Sequence, residues 1–454
     1  MHVSLSRVRL GHSVEGAVLD GRDPASVAEA AGFNTAVVHR PSLVVAATGA
    51  ADVVAAVRHA ARAGVPVAVQ GTGHGARPVE GGVLVTTRRM QGVRVDPVAR
   101  VARVEAGVRW RAVIDAAVPH GLAPLSGSSS GVGVVGYTLG GGMGHLGRRH
   151  GFAADHVRAV ELVTADGVLR RVSAEADPEL FWAVRGGGGA FGVVTALEVG
   201  LVPLPEFAGG TLVFGPAAVE PVLRAFARWA PTLPEEAAAS VALLRLPAAP
   251  DVPPPMRGVV TLALRFAHAG PAARAEELLR PMRRVAAPVL DFFGPMSFAA
   301  VDGIHMDPTE PMPSVARGAL LHSVHGGPVD ALLAVAGPEV EAPLAMVEVR
   351  VMGGALGRPA TVPNAVAGRD GAFSLVAVAP APPPLRDTAD AVTRRVLDAL
   401  GPWSLDTSLL NFAGPERSAH RIWEAATLER LRRVKAAVDP EHRFAGLPGT
   451  GGLR

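Results

Sequence analysis

The chain has 454 residues, 49% hydrophobic and 19% charged, with a formal net charge of +3; this is a globular composition with length for two or three domains, and it excludes a disordered polyelectrolyte. The isoelectric point of about 10.2 comes from arginines interleaved with 41 acidic residues, Lys435 being the only lysine, so no basic patch for nucleic acid stands out. Cysteine is absent, which removes disulfides, thiolate catalysis, zinc–thiolate centres and any cysteinyl link to a cofactor.

The opening residues, MHVSLSRVRLGHSVEG, contain no unbroken apolar region, and no apolar run reaches the roughly 18 residues of a membrane span. A soluble cytoplasmic protein is expected, with the Ala, Gly, Val, Arg and Pro bias of a GC-rich bacterial gene. From Val44 to Val69 the pattern reads strand, helix, strand: VVAA, then Val53, Val54, Val57, Ala60 and Ala61 on one helical face ended by Gly64 and Pro66, then PVAV. Further strands are expected at 83–87, 102–107, 159–167 and 193–203, and a helix between Trp110 and His120. Beyond Pro205 the glycine clusters thin out. Strands are expected in TLVFG, SVALLRL, GVVTLALRFA, APLAMVEVRVMGG and FSLVAVAP, with helices at 216–230, 271–284 and 388–400 and proline-rich joints at 247–255 and 380–384. That pattern predicts an antiparallel sheet with helices on one face. A charged amphipathic helix is predicted over 418–438.

Four glycine-rich stretches fall in the first 195 residues: GTGHG (71–75), GSSSGVGVVG (127–136), GGGMG (140–144) and GGGGAFG (186–192). One such loop is usually a turn; four in one region sacrifice side-chain packing repeatedly, and what they offer in return is backbone N–H groups brought close to an anionic or planar ligand. A P-loop would need Gly-Lys-[Ser/Thr], which a chain with one lysine, after Val434, does not have. A dinucleotide fingerprint would need its loop to open a helix, whereas ARPVEGG and a strand follow GTGHG. Gly127 to Gly131 matches the G-x-S-x-G nucleophile elbow, but the elbow must run into a helix and GVGVVGYTLGGG is a poor helix former. Metal sites find no support. His145 and His150, five apart, would stand about 140° from each other around a helix; His305, Asp307 and Glu310, and the pair His322 and His325, lack ligand spacing and read as surface or satisfied core groups.

Taken in order, R-P-S (40–42), the βαβ unit, G-x-G-H-G, V-E-A-G (104–107), the 127–144 glycine stretch, R-x-H-G-F-A-A-D (148–155), D-P-E-L-F-W-A-V-R-G-G-G-G-A-F-G-V-V-T (177–195), N-F (411–412) and V-K-A-A-V-D-P-E-H-R-F (434–444) resemble the vanillyl-alcohol-oxidase and p-cresol-methylhydroxylase type of FAD protein, in its berberine-bridge-enzyme-like branch. The resemblance covers about residues 36–205 and 405–445. It implies an α+β protein in three parts: an FAD-binding domain over 1–205, a substrate domain with an antiparallel sheet over 206–404, and a segment, 405–454, that returns to the first. It implies that FAD lies along Gly71, Thr72, Gly73 and Gly75, along Ser126, Gly127, Ser129, Val132, Gly133, Gly136, Tyr137, Gly140, Gly141, Gly142 and His145, and beside Gly192, Val194 and Asn411. His74 stands where relatives bond a ring nitrogen to the 8α carbon of the flavin.

Two departures shape the expected chemistry. Many relatives make a second link through a cysteine where this chain has Ser129, so attachment here is through His74 only. Many also carry a tyrosine two residues before the terminal asparagine, where this chain has Leu409. An alcohol must lose its O–H proton as hydride leaves, whereas the lone pair of a neutral amine drives hydride loss directly; the missing tyrosine favours an amine, a heterocycle or a natural-product intermediate over a simple sugar. Asn411, Tyr137, and Glu348 and Arg350 on one face of the strand 346–352 are the candidate catalytic groups, an exposed ion-pair face being the alternative for the last two. Val132 falls where relatives keep a small residue that admits oxygen, so an oxidase releasing hydrogen peroxide is expected. A flavin-dependent oxygenase or oxidative cyclase, a serine hydrolase on Gly127–Gly131 and a non-catalytic flavin-fold protein are the alternatives. Expected partners are a small-molecule substrate and O2, with no metal, nucleic acid or membrane; a homodimer is compatible.

Overall fold

Leu43–Ala46 and Val83–Thr86 are buried at every position, as parallel strands covered on both faces must be. They form a four-stranded sheet in the order Ala17–Asp20, Leu43–Ala46, Val83–Thr86, Val67–Gln70. The helix Ala50–Ala63 crosses between the second and last of these, with Val53, Ala56, Val57 and Ala60 turned inward at helical spacing. The predicted βαβ unit is present, with Val83–Thr86 inserted between its two strands and parallel to both. The computed structural model describes residues 10–414 and 418–447.

A second sheet is wholly antiparallel, in the order Val93–Asp96, Val101–Glu105, Val193–Gly200, Val157–Val163, Leu169–Ser173. One hydrophobic core joins it to the first sheet, and the helices Trp110–Ala117 and Pro178–Gly187 contribute Trp110, Ile114, Leu180 and Phe181 to that core.

The third and largest sheet is also antiparallel: Leu290–Asp291, Ala208–Phe214, Val260–His268, Ala237–Arg245, Met346–Val351, Phe373–Pro380, Ser314–Leu321, with Gly294–Pro295 beside Ala208–Phe214. Its strands alternate. Val241, Leu243, Leu262, Leu264, Val347, Val349 and Leu375 pack in one cluster with the helices Val219–Trp229, Ala272–Arg283, Gly327–Ala336 and Arg386–Ala399. The opposite face carries Arg265, Ser240, Arg350 and Ser374 in one cross-strand row. This is the predicted α+β arrangement, with helices on one face and a polar row on the other.

Three expectations fail, each for a physical reason. A helix, Val134–Leu139, does follow the serine stretch; burial of Val134, Val135, Thr138 and Leu139 holds it where propensity would not. The last helix begins at Ala425, not 418, because Ile422 and Trp423 enter the core from an irregular turn before it. The strand Ser314–Leu321 and the helix Gly327–Ala336 were not foreseen, Arg317 and Gly318 having interrupted the apolar run. Among the described residues no helix is long and apolar enough to cross a membrane.

Candidate active site

Gln70 ends its strand and the chain turns through Gly71–Gly75. Gly73 sits at φ +74, and a Cβ there would lie 2.5 Å from the Gly32 Cα, so only glycine lets the loop lie against this neighbour. The contact is closed by Phe33 N–H donating to Thr72 O at 2.9 Å. It places the Phe33 ring under His74, stacked at 4.1 Å and 10°. The imidazole Nδ1 is 2.9 Å from Thr72 Oγ1, which accepts from Gly133 N–H at 3.3 Å. Burial, with the Arg109 guanidinium adding to it and Asp307 opposing, pushes His74 down to about 4, so the ring is neutral around pH 7. Gly75 is exposed, and Gly71 has room for a Cβ at ordinary contact distance.

The second glycine stretch wraps Tyr137. Cβ atoms at Gly127 and Gly142 would come within 2.9 and 2.4 Å of its ring. Tyr137 lies on the short helix Val134–Leu139, in a stretch expected to be a loop, and among the described residues its buried hydroxyl has no hydrogen-bond partner; burial raises its ionisation far above the ordinary tyrosine value. Asn411 donates from Nδ2 to Tyr137 O at 2.9 Å and fills the space where Gly140 lacks a side chain. Gly141 faces Val366 and Phe152, and nothing lies within 4 Å of a Cβ at Gly136. Ser126 Oγ, Thr138 Oγ1 and His145 Nε2 are likewise buried without partners among the described residues. Gly192 packs against Val163 O, and Val194 is buried in the same sheet opposite Leu162.

The three serines are engaged. Ser128 Oγ donates to Asp307 at 2.6 Å, Ser130 donates from N and Oγ to Asp302 at 2.7 and 2.5 Å, and Ser129 Oγ accepts from Gly131 N–H at 3.3 Å. Among the described residues no histidine bonds to them, so the elbow reading now has its helix but lacks a base. Val132 is half-buried, with its carbonyl accepting from Trp110 N–H.

Across from these loops, Glu348 on the polar sheet face is 0% exposed, which removes the solvated ion-pair alternative. Its Oε1 accepts from Ser240 Oγ and Arg265 Nη1, both at 2.7 Å, with His305 Nε2 3.1 Å away; Oε2 is held by Arg350 Nε and Nη2 at 2.8 and 2.6 Å. Burial alone would raise this carboxyl, but the Arg350 and Arg265 charges overcome it and hold the group well below the usual carboxylate range. Arg350 also lies over the Phe412 ring at 5.7 Å. A recess separates this row from the glycine loops, lined among others by Ser128, His145, Ser240, Arg265, His305 and Arg350.

The structure thus brings Tyr137 to Asn411 and Glu348 to Arg350, with His145 facing the second pair. Sequence reasoning missed Arg265, Ser240 and His305, the last set aside as a bland polar residue. Arg265 left a signal, a charge inside the apolar run GVVTLALRFAH; nothing local marks His305. Among the described residues no three His, Asp or Glu side chains form a metal-binding group.

Residues 41–173 match the FAD binding domain family. The chain is 36% identical over 208 residues, 45% of its length, to (R)-6-hydroxynicotine oxidase of Paenarthrobacter nicotinovorans, and the aligned stretch spans 42% of that relative. The crystal structure of 6-hydroxy-D-nicotine oxidase from Arthrobacter nicotinovorans superposes with a TM-score of 0.82 at 25% identity, covering 98% of each chain. A berberine-bridge-enzyme-like protein of Physcomitrella patens superposes at 0.81 with 19% identity over 98% of this chain and 100% of its own. The chain therefore carries an FAD-binding domain at 41–173 within the p-cresol-methylhydroxylase-type fold that these flavin-protein neighbours share.

Proposed function

We propose that this protein is an FAD-dependent oxidase that takes two electrons from a small organic molecule, with O2 as the final acceptor and hydrogen peroxide as the second product, and that His74 alone joins the cofactor to the chain. Bound FAD supplies a two-electron hydride acceptor. The carrying observation is His74: a neutral imidazole, stacked on Phe33 and oriented by Thr72, at the mouth of a glycine cradle. Neutrality matters because a protonated ring has no lone pair on either nitrogen with which to form a bond to carbon. The cradle fits a polar cofactor on two further grounds. Ser126, Tyr137, Thr138 and His145 carry buried polar atoms that have no partner among the described residues, and open space adjoins Gly136; buried polar groups ordinarily find partners. Loops 71–75 and 126–145 would hold the cofactor, with Asn411 fixing the helix that carries Tyr137. Ser129, bonded only within its own turn, has no chemistry with which to make a second link.

In the same reading, 1–205 and 405–454 build the cofactor half and 206–404 the substrate half, in a cytoplasmic bacterial protein of secondary metabolism. The test is acid denaturation of the purified protein. Yellow fluorescence should stay with the precipitated polypeptide, and His74→Ala should release it to the supernatant while still binding FAD before denaturation. A preparation that never associates with FAD would overturn the proposal.

A further inference from the structure

The segment 33–35 lies between the two halves of the molecule and bonds to both. On one side the Phe33 and Asn34 N–H groups donate to Thr72 O and Gly73 O at 2.9 and 3.3 Å. On the other, Met312 N–H donates to Phe33 O at 3.0 Å and Thr35 N–H to Met312 O at 3.3 Å, a parallel bridge to the chain that enters the strand Ser314–Leu321 of the largest sheet. The Asn34 amide completes it: Nδ2 donates to Ser314 O at 2.9 Å, and Oδ1 accepts from Ser314 N–H at 3.1 Å. Residues 311–314 read P-M-P-S. Proline has no N–H, so this stretch owns two backbone donors, and both are committed to Phe33 and Asn34.

Phe33 carries this contact to His74. Its ring lies 4.1 Å from the imidazole and 10° from parallel, which fixes the plane of His74, while Thr72 Oγ1, 2.9 Å from Nδ1, fixes the rotation within that plane. Thr72 belongs to the glycine loop itself, but Phe33 does not, and its backbone is held by Thr72 on one side and by Met312 on the other. Resting on the His74 attachment read above, we propose that Phe33 and Asn34 are positioning residues for it: Phe33 sets the plane in which the imidazole meets the 8α carbon of the flavin, and Asn34, tied to Ser314, makes that plane depend on the docking of the substrate half. In the attachment one hydrogen leaves the 8α carbon and one leaves the imidazole, and an N–C bond forms between the two. The two electrons released enter the flavin ring, and O2 takes them with two protons as hydrogen peroxide. Phe33 and Asn34 exchange no atom in this step; they act through geometry, and a displaced nucleophile loses rate steeply. The consequence is an order of events. A chain whose substrate half has not docked binds FAD without being committed to it, and the tether forms once both halves are in place.

The experiment uses the full chain, expressed with limiting riboflavin, purified and given excess FAD in air, with attachment followed over time as flavin fluorescence that stays with the polypeptide on a denaturing gel. Asn34→Ala and Phe33→Leu should bind FAD as tightly as the wild type before denaturation and keep its melting temperature, yet attach it about ten-fold more slowly. Phe33→Tyr keeps a flat ring and should attach at the wild-type rate. Ser314→Pro, a second route should Asn34→Ala not fold, changes only the substrate half: at the first residue of a strand proline is tolerated, the N–H that Asn34 Oδ1 accepts is removed, and attachment should slow in the same way. Undiminished attachment in Asn34→Ala or Ser314→Pro, Phe33→Tyr as slow as Phe33→Leu, or FAD binding lost in parallel with attachment overturns the inference and leaves the tether standing. A wild type that binds FAD but releases all of it on denaturation overturns the tether through His74, and the inference with it.

Discussion

Glu348 meets the strictest electrostatic demand in the molecule: a carboxylate with no exposure that accepts from Ser240, Arg265 and Arg350 and lies beside His305. Removing one member of such a network leaves the others' charges buried without compensation, typically at about 3–5 kcal/mol. Glu348→Gln should therefore lower stability by roughly that amount, read from urea unfolding at pH 7. The pH dependence has a definite sign. Because the folded state holds this carboxyl well below its ordinary value of 4.5, its contribution is complete above that value and is lost as pH falls through the folded one. The gap between wild type and variant should be constant from neutral pH to about pH 5 and should narrow below about pH 4. A gap that widens on acidification would mean that Glu348 is protonated at neutral pH.

At the scale of elements, the contact that matters most joins the serine loop 127–131 to the helix Asp302–His305. Asp302 accepts from Ser130 N and Oγ and from Arg111, and Asp307 accepts from Ser128. Three charge-assisted hydrogen bonds thus tie a glycine-rich loop, which has little packing of its own, to the segment 302–307 that carries His305, and Arg111 adds a fourth from the helix Trp110–Ala117. Asp302→Ala should cost about 1–3 kcal/mol, and amide exchange should quicken over 127–133 while the strand Val260–His268 is unaffected; uniform quickening would mean a global loss instead. The same contact shows what sequence could tell. The strand Met346–Val351 was legible because alternation sorts Val347, Val349 and Val351 from Glu348 and Arg350 without any knowledge of neighbours. The helix Val134–Leu139 was not, because tertiary burial supplies what its glycine-rich sequence lacks. His74 was legible as an oddity among glycines, and Asn411 and Tyr137 by position in a motif. His305 was invisible: it is 43 residues from Glu348, and no local period encodes a contact made by folding one segment over a sheet.

At the scale of the whole molecule, the question is why a chain that has already built three sheets sends its last segment back to the first two. The helix Ala425–Val438 buries Leu428, Leu431 and Val434 in the first core, and the only lysine follows them. Lys435 Nζ donates to Ala190 O at 2.6 Å, in the fourth glycine stretch, and to Asp439 at 2.5 Å. Asp439, with no exposure, also accepts from the Arg443 and Phe444 N–H groups at 2.8 and 3.0 Å. That turn holds Arg443 O against Val67 N–H at 2.7 Å, and Val67 opens the strand that aims Gly71–Gly75 and His74. One buried ion pair therefore clamps two of the four glycine loops to each other through the tail. Breaking it from the lysine side, by Lys435→Met, fills the space but leaves Asp439 charged and buried; stability should fall by about 3–5 kcal/mol, seen as an earlier urea midpoint. Adding Asp439→Asn removes that charge and keeps an oxygen for the Arg443 and Phe444 N–H groups, so the double variant should recover at least half of the loss. If the single variant unfolds with the wild type, the pair is not a clamp, and the position of the His74 loop must be set by the parallel strands alone.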